Sequence, residues 1–174
     1  NSHITAPGSY QSGYHLTEDL FEQAIGYVKG HIAVSPQIPW FMMVTPGACH
    51  APHQAPKDLI DKYDAIFAKG WDATRNDRLA RQIELGIVPK GTELPPRNDS
   101  VRAWDAHSDD ERRVFSRLAG AYGAMLEHTD QQLGRLMAFL EQADLLDNTL
   151  ILLLSDNGAS CLLYTSDAAD EVDS

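Results

Sequence analysis

The sequence has few cysteines and lacks long apolar runs. Its two cysteines, Cys49 and Cys161, are too few for a disulfide framework. No apolar stretch approaches the ~20 residues that a membrane-spanning helix needs. Basic residues are also scarce, with 14 lysines and arginines against 25 aspartates and glutamates, a net charge of -11. A surface of this sign has no general attraction to a phosphate backbone, which disfavours nucleic-acid binding. The 174 residues, 43% of them hydrophobic, suffice for one globular domain.

Both ends of the chain differ from those expected of an intact domain. The first residue is Asn1 rather than methionine, and the polar residues after it do not form a signal peptide. We therefore expect the chain to be cut at its front. The stretch from Cys161 to Glu171 resembles the translation of a sequencing adapter, and the alternative is an ordinary acidic tail. We expect residues 1–160 to be a partial domain and residues 161–174 to be foreign to it.

Amphipathic periodicity predicts several helices. Apolar residues spaced three and four apart mark one face of each. Thr17 is expected to cap the first helix, and Ser108 with Glu111 has the spacing of a capping box ahead of the last. That last pattern fits one long helix or two in series. Four helices are predicted: the first covers residues 17–30, the second begins near residue 57, the third runs from 72 to 85, and the last from 108 to about 140.

Two short, fully apolar runs predict strands that are buried on both faces. They are Pro39–Val44 and Thr149–Leu154. Because such strands alternate with amphipathic helices, we expect an α/β layered fold with a mostly parallel sheet. Two strands cannot form a stable sheet with helices on both faces, so the chain is expected to be an incomplete piece of a larger domain.

Polar clusters follow both predicted strands, at the edge where parallel sheets gather their functional groups. Asp156 and Asn157 come directly after the second strand and offer two hard oxygen ligands, which suit Ca²⁺ or Mg²⁺. Gly158 permits a sharp exit from such a site. The alternative interpretation is a plain Asp-Asn-Gly turn.

The loop after the first strand contains His50 and His53. One interpretation is that a histidine contacts an anion or a leaving group at the loop rim. A second is a zinc site that includes Cys49, although no further ligand follows at a recognisable spacing. A third is that both histidines simply bond to backbone groups of the loop. The sequence pattern leaves the three interpretations open.

Other conspicuous residues are expected to have structural roles. Glu127, His128 and Asp130 fall in the middle of the last helical pattern, on its solvated face or in a second layer behind the site. The three tryptophans are expected to anchor the core; they are Trp40, Trp71 and Trp104. None of these residues has a partner that the sequence spacing identifies.

An ordered series of motifs runs through most of the chain. Its members are Pro39-Trp40-Phe41, Gly47-Ala48-Cys49-His50-Ala51-Pro52-His53-Gln54-Ala55-Pro56, Tyr122-Gly123-Ala124-Met125-Leu126-Glu127-His128-Thr129-Asp130, Gly134-Arg135-Leu136, Leu145-Leu146-Asp147-Asn148-Thr149 and Ser155-Asp156-Asn157-Gly158-Ala159. Ser-Asp-Asn-Gly alone is a weak signal, whereas the whole series in this order is specific. The series resembles the type I, formylglycine-dependent sulfatases, specifically the bacterial arylsulfatases, over roughly residues 14–160.

The resemblance implies an alkaline-phosphatase-like fold and hydrolysis of sulfate monoesters, small-molecule substrates, at a Ca²⁺ site. By matching motif positions, Asp156 and Asn157 would be two of the metal ligands. His50 would be catalytic, contacting the sulfate group and assisting the departing oxygen, and His53 would support His50 or the rim that binds substrate. Residues 1–160 would then be a partial sulfatase catalytic domain, and the parent protein would be periplasmic or secreted.

The chain also departs from the family pattern. It contains no Cys/Ser-x-Pro-x-Arg motif, in which the family forms its formylglycine nucleophile, and the sequence after Cys49 reads His-Ala-Pro-His instead. A pair of metal-binding aspartates and a downstream lysine are also missing. We therefore expect a central, inactive fragment whose nucleophile lies outside it. Alternatives are a fragment of a related phosphodiesterase or phosphonate hydrolase and a non-catalytic structural fragment.

Overall fold

A computed structural model describes residues 6–155 of the chain. This part forms four α-helices, and none of its helices has both the length and the apolar character needed to cross a bilayer. Each predicted helix is present, although the first extends beyond residues 17–30 and the third begins at residue 70 rather than 72. They are α1 (Leu16–Val34), α2 (Lys57–Phe67), α3 (Gly70–Glu84) and α4 (Asp109–Gln142), and short 3-10 turns cover Tyr10–Ser12, Trp104–Ala106 and Leu146–Asn148.

The predicted capping box begins α4. The Ser108 hydroxyl accepts the Glu111 N–H at 3.3 Å, and the Glu111 carboxylate accepts the Ser108 N–H at 2.8 Å. That backbone bond, together with Arg102, lowers the pKa of Glu111 to about 2. From this cap the helix continues without a break for 34 residues, so the pattern belongs to one long helix rather than two.

Two glycines on α4 let it lie close to α2. A Cβ atom at Gly120 would stand 2.8 Å from the backbone nitrogen of Asp64, and one at Gly123 would stand 2.8 Å from the ring of Tyr63. Gly134 differs, because a Cβ atom there would meet nothing within 4 Å. The first two glycines are therefore packing residues, and α4 serves as the element against which α1 and α2 both pack.

Helix α1 starts earlier and ends later than the sequence predicts. Its N-cap is His15 rather than Thr17, because the His15 Nδ1 atom accepts the Thr17 N–H at 3.2 Å. Thr17 is buried in the first turn, and the helix passes Gly30 to end at Val34. Its predicted apolar face is confirmed in the core, where the buried residues are Phe21, Ala24, Ile25 and Val28.

Trp104 packs against the first turn of α3. Gly70 has a φ of 85°, and the Trp104 ring lies where a side chain at position 70 would begin. The Trp104 N–H donates to the Asp72 carboxylate at 2.9 Å, and Trp71 packs edge-on against the Trp104 ring. These contacts confirm Trp71 and Trp104 as packing residues.

The predicted sheet is not confirmed in the part of the chain that the structure describes. Residues 6–155 contain no strand, and Pro39–Val44 and Thr149–Leu154 are irregular. Side chains from 40 to 47 alternate between half-buried and exposed, as in an extended strand. A strand also needs a neighbour that pairs with its backbone, and no described residue supplies one. The predicted burial on both faces fails for the same reason, since Phe41 is 91% and Met43 76% exposed.

Candidate functional site

The two loop histidines lie on a turn between the first apolar segment and α2. We call residues 45–56 the histidine loop. Its tip is closed by a backbone bond from the His50 N–H to the Gly47 carbonyl, at 2.8 Å. Prolines and a glycine keep the loop out of regular structure, and Pro56 is the residue that precedes α2. The fold therefore presents both histidines from one short, irregular segment.

His50 is exposed, and one of its ring nitrogens has no partner within the described part of the chain. Its Nδ1 atom lies 2.6 Å from the Ala51 carbonyl oxygen. Because a carbonyl only accepts, Nδ1 carries the hydrogen of this bond. Within residues 6–155, no group bonds to Nε2. This nitrogen therefore faces solvent, where it can form a hydrogen bond with a group that approaches the loop.

His53 has a different environment. Its Nε2–H donates to the Cys49 carbonyl at 3.1 Å, which closes the loop from inside. Its ring lies edge-on to Tyr122 of α4, with ring centroids 5.3 Å apart. The half-buried His53 thus holds the loop against α4 while the neighbouring histidine faces solvent.

Cys49 is a half-buried free thiol that contacts the same helix. Burial raises the pKa of Tyr122, and an electrostatic interaction and a hydrogen bond with the Cys49 side chain add to the effect. No base that would generate a thiolate is bonded to Cys49 in the described part of the chain, so its environment is that of a small packing thiol.

The predicted metal ligands, Asp156 and Asn157, lie outside the described residues. The metal site and its closeness to His50 therefore stay predictions. Within residues 6–155, no group of three or more histidine, cysteine, aspartate or glutamate side chains could hold a metal ion. The zinc interpretation of Cys49, His50 and His53 accordingly receives no support from this part of the structure.

A second polar cluster behind the loop was not found by the sequence analysis. His15 lies 3.3 Å from the Gln54 carbonyl through Nε2, and its ring lies edge-on to His128, with centroids 4.3 Å apart. His128 in turn contacts Glu18 at 3.0 Å. The sequence signal was weak because Glu18 and His128 are 110 positions apart, and only the position of His15 just before a predicted helix hinted at a capping role.

Comparison with known proteins identifies the family. The sequence model of the family described as Sulfatase matches residues 2–169. The chain is 35% identical over 159 residues to an uncharacterized sulfatase of Schizosaccharomyces pombe, covering 90% of the chain and 27% of that protein. It is 28% identical over 152 residues to an arylsulfatase of Klebsiella aerogenes (87% of the chain, 32% of the relative).

A third relative is an arylsulfatase of Clostridium perfringens, 24% identical over 163 residues (91% of the chain, 29% of the relative). The chain thus spans about a third or less of the length of the curated relatives it matches. The family match covers nearly all of the sequence. The chain belongs to the sulfatase family.

Proposed function

We propose that this chain is the central part of an arylsulfatase, a hydrolase of sulfate monoesters, and that the histidine loop forms part of its sulfate site. Membership of the sulfatase family supports the reaction class. Two relatives carry the name arylsulfatase, which supports the substrate class. The observation that carries the proposal is the exposed ring of His50, whose Nδ1 bonds the Ala51 carbonyl and whose Nε2 has no partner in residues 6–155.

His50 is the proposed catalytic residue. The bond from its Nδ1–H to the Ala51 carbonyl fixes the tautomer and the direction of the ring. Once protonated, Nε2 would donate to a sulfate oxygen or to the departing alcohol oxygen, where negative charge develops during cleavage. His53 uses its Nε2–H on the Cys49 carbonyl, so its proposed role is to shape the rim that binds substrate.

Asp156 and Asn157 are the proposed metal ligands in this chain. Their carboxylate and carboxamide oxygens are hard donors of the kind that Ca²⁺ prefers. Two adjacent residues cannot supply the six to eight oxygens of a calcium site, so the remaining ligands would come from other parts of the protein. When bound, the cation would offset negative charge on the sulfate oxygens.

The nucleophile is proposed to lie outside these 174 residues. The sequence has no Cys/Ser-x-Pro-x-Arg motif, the context in which the formylglycine of this family is expected. The same proposal assigns the layered sheet of the alkaline-phosphatase-like fold to the longer protein, which would supply strands beside Pro39–Val44. Resemblance to bacterial arylsulfatases argues for a periplasmic or secreted bacterial enzyme.

The test uses the complete protein that contains this segment, assayed with an aryl sulfate, an aryl phosphate and an aryl phosphonate. We expect the sulfate ester to be preferred, and we expect a chelator or Asp156→Ala to abolish its hydrolysis. Asp147→Ala, which removes an exposed acid nearby in sequence, is the matched control and should retain activity. A preference for either phosphorus ester would contradict the proposal, and so would release of the phenol by the 174-residue chain alone.

A further inference from the structure

Behind the histidine loop, α1 and α4 meet through a polar cluster that the proposed reaction does not use. We call His15, Glu18 and His128 the rear cluster. His128 is only 2% exposed, and its ring packs edge-on against His15 at 4.3 Å. The cluster matters because one of its members also contacts the loop that carries His50.

The two ring nitrogens of His15 have different partners. Nδ1 accepts the Thr17 N–H at 3.2 Å and so caps α1. Since Nδ1 uses its lone pair in this bond, the ring hydrogen of neutral His15 must lie on Nε2. Nε2 then donates to the Gln54 carbonyl of the histidine loop, at 3.3 Å. One side chain therefore joins the start of α1 to a loop that lies 39 residues further along the chain.

His128 fixes the position of the His15 ring. Its Nε2 atom lies 3.0 Å from the Glu18 carboxylate, which accepts, so the ring hydrogen of neutral His128 lies on Nε2. Its Nδ1 atom is buried and has no hydrogen-bond partner among the described residues. Among the described residues the other polar neighbour of the ring is Gln132 Nε2, at 3.5 Å, so rotation of the ring would break its one short hydrogen bond there. Because His128 is held in this way, it presents a fixed surface to His15.

We propose that His15 is a positioning residue of the site: it holds the histidine loop, and hence His50, through the Gln54 carbonyl, with His128 and Glu18 as its support. The inference deepens the proposed function and rests on it only for the role of His50 in catalysis. The tether itself is a property of this chain, and it can be measured without substrate.

The first experiment separates the tether from the helix cap. Asparagine is among the best N-cap residues, so His15→Asn keeps a capping acceptor, but its shorter side chain cannot reach Gln54. We expect the NMR order parameters of loop residues 50–55 to fall from about 0.8 to below about 0.6, while those of α1 stay unchanged. Unchanged loop order in a folded His15→Asn variant would overturn the tether.

His31→Asn is the matched control. His31 also lies on α1 and also donates to a backbone carbonyl, that of Ile38, at 2.7 Å. Because this bond lies at the other end of the helix, its loss should leave the histidine loop unchanged. An equal loss of loop order in both variants would mean that any damage to α1 loosens the loop, and the proposal would fail.

A second measurement needs no variant. Long-range ¹H–¹⁵N correlation of the unmodified chain at pH 7.5 reports which ring nitrogen of His15 carries the hydrogen. We expect the Nε2–H form. The Nδ1–H form, or a mixture of both, would contradict the two bonds on which the proposal depends, even if His15→Asn does not fold.

The link to catalysis is tested in the complete protein. His15→Asn should lower kcat at least ~10-fold with little change in KM, and it should cost nothing further when His50 is already alanine. An additive loss in the double variant would overturn the positioning role. If the unmodified complete protein does not hydrolyse sulfate esters, the proposed function is wrong. The NMR measurement would still decide whether His15 holds the loop.

Discussion

At the scale of single residues, the two loop histidines differ in what their Nε2 atoms can do. No residue that the structure describes bonds Nε2 of His50, whereas His53 uses Nε2 to bond the Cys49 carbonyl. We predict that His50→Ala in the complete protein lowers kcat on an aryl sulfate by a factor of about 10²–10⁴, the usual contribution of an acid–base group. His53→Ala should cost far less. Equal losses in steady-state kinetics would contradict these roles.

His128 gives a second prediction at this scale. Burial lowers its pKa, Glu18 partly offsets the shift, and the charges of His15 and of Asp58 on α2 act in opposite directions. The unfolded chain therefore binds a proton at a higher pH than the folded chain does. The stabilising contribution of neutral His128 is fully present above pH ~6.5 and is lost as the pH falls through the folded pKa.

The measurement is the melting temperature of the 174-residue chain between pH 7.5 and 5, followed by circular dichroism. We expect it to fall with pH, and to fall less in His128→Gln, which retains a donor for Glu18. His31→Gln, which removes a histidine that is not buried, serves as the control and should follow the unmodified chain. The prediction fails if His128→Gln shows the same pH dependence as the unmodified protein.

At the scale of helices, sequence and structure agree best where local rules decide the outcome. The start of α2 and the capping box of α4 follow from spacing and cap chemistry alone, and both were predicted. The start of α1 was not, because a histidine is an uncommon cap and its role depends on contacts with Gln54 and His128. Those contacts join distant parts of the chain, which no periodicity reveals.

The glycines of α4 give a prediction at the same scale. At Gly134 a methyl group meets nothing, so Gly134→Ala should stabilise the chain by about 0.8–1 kcal/mol through helix propensity. At Gly120 the same change places Cβ 2.8 Å from the α2 backbone, so Gly120→Ala should destabilise it despite the gain in propensity. Urea unfolding measures both variants. A stable Gly120→Ala protein would show that α2 and α4 do not pack this closely.

At the scale of the whole molecule, the sheet marks the limit of prediction from this sequence. The apolar runs Pro39–Val44 and Thr149–Leu154 have the composition of buried strands, but pairing depends on neighbours that residues 6–155 do not contain. A candidate site could be predicted from the polar residues that follow those runs, because that prediction needs only residue type and order. The joint geometry of His50, Asp156 and Asn157 depends on the same pairing and stays a prediction.

The exposed apolar segment has a measurable effect at this scale. Phe41 and Met43 are 91% and 76% exposed, and Ile38, close by in sequence, is 59% exposed, so exposed apolar side chains are concentrated in this segment. We predict that the 174-residue chain binds the dye ANS and that replacing Phe41 and Met43 by serine weakens this binding. Tyr27→Ser, at an exposed aromatic residue of α1, is the control and should leave dye binding unchanged. Equal binding by all three proteins would contradict this prediction.

The double use of His15 has a consequence for how such sequences diverge. One nitrogen of the His15 ring caps α1, and the other bonds the distant Gln54 carbonyl. A shorter side chain, or one with a single hydrogen-bonding group, would lose one of these two bonds. The ring at position 128 bonds Glu18 and packs against His15, while its buried Nδ1 atom has no partner among the residues that the structure describes. Among homologues, these two positions should therefore covary, with imidazole retained at both or abandoned at both.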